Sequence, residues 1–264
     1  MRIRAVLVAA KRTAMTNSTG AGDSLRRQWR RIGFRFACMP INQTVDIEKL
    51  IRDSVVQGRD DPDLYWAALA WTIAFSDLVN IPRLSRMVSQ SETALIGMLA
   101  DLALEHGGEK KLRHIVRASK PLPRPEHLFR IMGSHAYLTE QEAKHNLPVS
   151  AKWGLICAQI TVKQDALYQR SYVLSHNQNA LLRALLGPHA RADILYSFLI
   201  SPQQTISQLA NSVGLSYQPV HAEVEDLLKN GFVRCRTWGR SCVVSLTEKA
   251  TEFITALCES MAKG

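Results

Sequence analysis

Cysteine is scarce and scattered. The chain of 264 residues has five, Cys38, Cys157, Cys235, Cys242 and Cys258, with no CxxC pair and no histidine at ligand spacing. That distribution argues against a disulfide framework and a zinc site, and fits a reducing compartment. Long apolar runs are missing as well. The most apolar stretch, Leu64 to Phe75, falls short of the ~20 residues that span a bilayer, and Ala5 to Ala10 is shorter than the roughly 7 to 15 residues of a secretory signal core. The expectation is a cytoplasmic protein with no membrane partner. The sequence also holds no GxxxxGK[ST] loop, no GxGxxG after a strand, no GxSxG elbow and no HExxH. Its eight histidines are scattered, none with a second histidine or a cysteine at i+3 or i+4. No cofactor, metal or catalytic residue is indicated, and the protein reads as a non-enzyme.

Acidic residues are also missing from one end. Lys and Arg number 33 against 23 Asp and Glu, a net charge of +10, but residues 1–36 hold nine bases and one acid, residues 37–188 hold 17 against 15, and residues 189–264 hold seven of each. The basicity therefore belongs to an N-terminal arm, residues 1–40. The first twenty residues show no apolar period long enough to bury anything and read as disordered. Asp23 then opens a short helix with Leu25, Trp29, Ile32 and Phe36 on one face and Arg26, Arg27, Arg30, Arg31 and Arg35 around the rest. This is either an anion-binding helix or the solvated face of a helix docked on the next domain.

From residue 41 to 186 the pattern is that of an irregular helical bundle. Asp61-Pro62 starts the apolar helix that carries Trp66, Trp71 and Phe75, and Ile81-Pro82 starts another. Ser89 with Glu92, and Thr139 with Glu142, have capping-box spacing. Gly107-Gly108 stops the helix around Leu99 and Leu102. Pro121-Leu122-Pro123-Arg124-Pro125 forbids helix and marks a break at 120–125. Ser150 opens a long helical pattern through Trp153, Ile156, Ile160, Leu167 and Tyr168.

Residues 187–264 are the most readable part. Ala190 to Ile200 predicts a helix burying Ile194, Leu195, Phe198 and Leu199. Thr205 to Val213 predicts a second, stopped by Gly214 in a left-handed conformation. Ser216 caps a third with Pro219 in its first turn, its stripe Val220, Val224, Leu227 and Leu228 facing inward. Phe232 to Thr237 and Cys242 to Leu246 read as strands around a Trp238 to Ser241 turn, followed by a closing helix. Three helices and a hairpin, with glycine at the helix–helix turn, describe a winged helix-turn-helix. The spacing Ile206-xx-Leu209-Ala210-xx-Val213-Gly214-Leu215-Ser216, then Val220-xxx-Val224-xx-Leu227-xxx-Gly231-Phe232-Val233, resembles bacterial and archaeal winged-helix regulators of the MarR and ArsR type over about 75 residues. The resemblance implies that the third helix enters the major groove of double-stranded DNA with the hairpin beside it. Ser216, Tyr217, Gln218 and His221 are then the residues to meet DNA from the helix, and Arg234, Arg236 and Arg240 those of the hairpin.

The expected fold is mainly α, an irregular helical bundle followed by a C-terminal winged helix-turn-helix with a small β-hairpin. The expected function is a DNA-binding transcription regulator that works as a homodimer, its helical domain serving an effector, a protein partner or dimerisation. The module's zero net charge, with Glu223, Glu225 and Asp226 on the third helix, implies weak phosphate binding by one copy. It supports the competing reading of a non-enzymatic adaptor whose winged helix binds protein.

Overall fold

A computed structural model describes residues 20–130, 144–238 and 241–262. Over these the chain is mainly helical with small sheets. The arginine-rich segment is α1 (Gly20–Arg31), and it is docked: Leu25 and Trp29 are buried, as are Ile32 and Phe34 beyond its end. The Trp29 indole donates to Ser54 Oγ at 2.8 Å, and the Trp71 indole donates to the Ile32 carbonyl at 3.1 Å. Of the two readings of this basic helix, the docked one matches the packing, with Leu25, Trp29, Ile32 and Phe34 in the core and Arg27 and Arg35 exposed.

Helices α2 (Ile47–Gln57), α3 (Pro62–Phe75), α4 (Ile81–Met87), α5 (Thr93–Glu105) and α6 (Arg113–Ala118) follow. α3 is apolar on every side and buried over nearly its whole length, as such a helix must be. The Ser89–Glu92 capping box forms, whereas Thr139 and Glu142 lie outside the described residues.

The long helix read from the sequence is corrected, whereas the proline segment is non-helical as read. The proline segment leads into β1 (Glu126–His127), which pairs in parallel with β2 (Leu155–Ile156), and Leu128 and Phe129 belong to the same apolar cluster as α2 to α5. In the stretch that opens at Ser150 only α7 (Pro148–Lys152) is α-helical, with a single 3-10 turn at Gln164–Ala166 further on. Gly154 turns the chain at φ +67°, with its Cα so close to Leu122 that a Cβ there would lie 2.7 Å from the Leu122 carbonyl oxygen. Trp153 thereby drops onto Gly97, where a Cβ would meet the indole at 2.4 Å.

α8 (Arg170–His176) and α9 (Gln178–Leu186) lead to α10 (Ala190–Ile200), β3 (Gln204–Thr205), α11 (Ile206–Val213), α12 (Tyr217–Lys229), β4 (Val233–Trp238), β5 (Ser241–Leu246) and α13 (Glu248–Ala262). Thr205 and Gln208 form a reciprocal capping box on α11, and Gly214 ends it at φ +66°. β3 was not anticipated. It pairs antiparallel with β5, giving the order β3-β5-β4.

Two apolar clusters divide the described chain, one drawn from Leu25 to Ala180 and the other from Leu181 to Cys258. The dividing line runs through α9, not through Gly187-Pro188. Polar groups fasten the clusters together. The fully buried Arg183 donates to Glu48 Oε1 at 2.7 Å and to Asp193 Oδ1 at 2.8 Å, and Asn80 Nδ2 donates to Asp193 Oδ2 at 2.7 Å. Arg83 pairs with Asp46 and Glu48, each at 2.6 Å, while its Nε donates to the Val213 carbonyl at the end of α11 at 2.8 Å.

Candidate functional site

α12 buries Val220, Val224 and Leu227, which sends the opposite face to solvent. Ser216, Tyr217, Gln218 and Glu225 are exposed there, and His221 is half exposed. Ser216 occupies the N-cap position in extended conformation, but its hydroxyl makes no cap hydrogen bond, so the expected side-chain cap is absent and the hydroxyl has no partner among the described residues. Tyr217, His221 and Glu225 follow at four-residue spacing. The Tyr217 and His221 rings lie 5.5 Å apart, and His221 Nδ1 is 3.8 Å from Glu225 Oε1. Gln218 makes no hydrogen bond among the described residues.

The acids of this helix are not all on that face. Glu223 and Asp226 turn toward α10, where Arg191 binds both. The hydrogen bond that Arg191 donates to Glu223 is the chief cause holding the Arg191 pKa up. Glu225 is the carboxylate that remains beside Tyr217 and His221, so the count of acids on α12 overstates the negative charge of its exposed face.

The hairpin places Arg234 and Arg236 on one side of β4, opposite the inward Val233. They differ in engagement. Arg234 donates to Ser245 Oγ at 3.2 Å and lines a shallow cleft of about 380 Å³ walled by Glu248 and Glu252 of α13. Arg236 is exposed and has no ion pair or hydrogen bond among the described residues. Arg240 lies outside the described residues. The site residues on α12 therefore come together on one face, and of the two described hairpin arginines Arg236 is the one without a partner among the described residues.

Cysteine corrects the reading made from composition. Cys235 and Cys242 are disulfide-bonded, their Cα atoms 5.9 Å apart. They sit diagonally on one face of the hairpin, since Cys235 pairs with Val244 and Cys242 with Thr237. The spacing of seven around the predicted turn was the available signal, because hairpin register, not the overall cysteine count, decides which thiols meet.

Sequence reasoning also missed the charged group between the two clusters, which floors a cleft of about 450 Å³ lined by Thr44, Asp46, Arg83, Asn179, Tyr196 and Ser212. Its signal was charge at apolar positions: Arg183 stands between Leu181-Leu182 and Leu185-Leu186, and Asp193 between Ala192 and Ile194. Burial pushes the Glu48 pKa up, but the adjacent Arg183 and Arg83 guanidinium groups outweigh it and hold that pKa below the usual glutamate value.

Among the described residues no group of three or more His, Cys, Asp or Glu is placed to hold a metal ion, and no helix is long and apolar enough to cross a membrane. No protein-family model matches the chain, and no curated protein matches it.

Proposed function

We propose that the C-terminal unit is a winged helix-turn-helix and that the protein is a DNA-binding transcription regulator. The observation that carries this reading is the solvent-facing row of Ser216 at the N-cap and Tyr217, Gln218 and His221 on α12, not covered by the other described residues, together with Arg236 on the hairpin, which has no partner among them. In this reading α12 lies in the major groove. Gln218 offers the donor and acceptor that match the adenine edge, and Arg236 and Arg240 meet phosphates. Two copies double the phosphate contacts that a neutral unit lacks, so the working form is a homodimer. The competing reading, an adaptor that binds protein through the same unit, draws on the exposure of Tyr217 and Phe232.

The test is fluorescence anisotropy of the full chain on a library-selected duplex across a salt series. Arg236→Ala should weaken binding to all sequences and reduce the salt slope by about one phosphate contact, whereas Gln218→Ala should change base preference at one position. Absence of duplex binding at low salt overturns the regulator reading and leaves the adaptor.

A further inference from the structure

The hairpin carries the one disulfide among the described residues, and its surroundings set it apart from the other three thiols. Cys157 and Cys258 are buried and Cys38 is half buried. Burial pushes the Cys38 and Cys258 thiols up, away from the reactive thiolate. Cys235 is exposed between Arg234 and Arg236, and Cys242 is half buried against the second apolar cluster. The hairpin does not depend on the bridge. Six residue pairs hold β4 to β5, β5 also pairs with β3, and Val233, Val244 and Leu246 are buried beneath them. The bridge closes a loop of only eight residues, so it constrains far less of the unfolded chain than a long crosslink does. Both redox states are therefore compatible with the same fold, which is what a reversible pair requires.

We propose that Cys235 and Cys242 form a reversible dithiol–disulfide pair, oxidised by a small hydroperoxide, that sets the affinity of the hairpin for DNA. The regulatory half rests on the DNA-binding reading above; the thiol chemistry does not. The exposed Cys235 thiolate attacks one peroxide oxygen, the O–O bond breaks, and the alcohol or water leaves with a proton. The sulfenic acid on Cys235 is then attacked by Cys242, an S–S bond forms, and a second water carries off the hydroxyl. The peroxide gains the two electrons that the two thiols lose. A dithiol reductant reverses the step by exchange through a mixed disulfide. The bridge joins β5 to the strand that carries Arg234 and Arg236. Closing it ties β4 to β5 beside Arg234 and Arg236 before DNA arrives, which lowers the ordering cost of binding, so the oxidised protein is the tighter binder.

The experiment treats the reduced full chain with hydrogen peroxide and splits the sample. Tryptic mapping without reductant reads the bond, and anisotropy on the selected duplex reads affinity. The expected map joins peptide 235–236 to peptide 241–249, and oxidation tightens binding by about tenfold. Cys235→Ser and Cys242→Ser keep the reduced-state affinity and lose the response, while Cys38→Ser keeps it. A map that joins other cysteines, or none, overturns the proposal. A correct map with affinities that agree within about twofold overturns the regulation. If neither state binds duplex while the map is correct, the DNA reading fails by itself and the oxidisable pair stands.

Discussion

Arg183→Met tests whether the buried charges hold the two apolar clusters together. The wild-type guanidinium has no solvent exposure and holds Glu48 and Asp193, which are 0% and 4% exposed. The substitution keeps most of the side-chain volume but leaves Glu48 with Arg83 and the Asn80 backbone N–H, and Asp193 with only the Asn80 side-chain amide. Breaking a buried pair by removing one partner costs about 3–5 kcal/mol, because the remaining charge is desolvated without compensation. At about 2–4 °C per kcal/mol for a chain of this size, the melting temperature should fall by about 6–20 °C. Thermal unfolding followed by circular dichroism measures the drop. Adding Glu48→Gln in a double-mutant cycle should recover part of it, since it removes the stranded charge. A loss under about 1 kcal/mol, or strict additivity of the two substitutions, refutes the reasoning and makes the network dispensable.

The same groups set the acid limit of stability. Burial pushes the pKa values of Asp46, Glu48 and Glu92 up, but their arginine partners outweigh it and each lies below its ordinary value. A depressed folded-state value contributes stability above the unfolded value, near 4.5 for glutamate and 3.8 for aspartate, and loses it as pH falls through the folded value. Asp61, raised by burial, acts in the opposite sense. Urea midpoints should therefore be level above pH 5 and drop steeply below about 4.5; a midpoint that rises on acidification refutes this. Deletions separate the arm from the core. Removing residues 1–19 takes away four bases and should lower the salt slope of DNA binding without moving the melting temperature. Removing residues 1–36 also takes away the buried Trp29, Ile32 and Phe34 and should abolish cooperative unfolding; a wild-type melt from residues 37–264 contradicts the docked-helix packing.

What could be read in advance depended on how local the cause was. α11 and α12 were legible because each has its own stop or start within a few residues: Thr205 with Gln208, Gly214, Ser216 with Pro219. β3 was not, since two residues cannot show alternation. The supposed helix after Ser150 failed for a tertiary reason. Trp153, Ile156, Ile160 and Leu167 fit helical spacing, yet Gly154 bends back at positive φ and Ile156 pairs with His127 instead. Distance in sequence hid the rest. Arg183 meets Glu48 across 135 residues and Trp29 meets Ser54 across 25, and no local pattern announces such pairs. On the site, the exposed face of α12 follows from its apolar stripe, whereas the different engagement of Arg234 and Arg236 depends on where α13 returns.

The placement of Arg183 also decides what counts as a unit. Composition and Gly187-Pro188 invite a cut there, leaving residues 187–264 as an independent reader of DNA. Such a fragment would lack Leu181 and Leu182, which belong to its apolar cluster, and would strand Asp193 without Arg183 or Asn80. Extending it back to Gln178 restores Arg183 but leaves that guanidinium without Glu48. The Val213 carbonyl, at the turn that orients α12 against α11, also loses the hydrogen bond from Arg83. A change in how Arg83 divides between Asp46, Glu48 and Val213 reaches that turn through a single side chain. The helical part is therefore positioned to alter how α12 is presented, and the full chain, rather than its C-terminal fragment, is the species in which binding has to be measured.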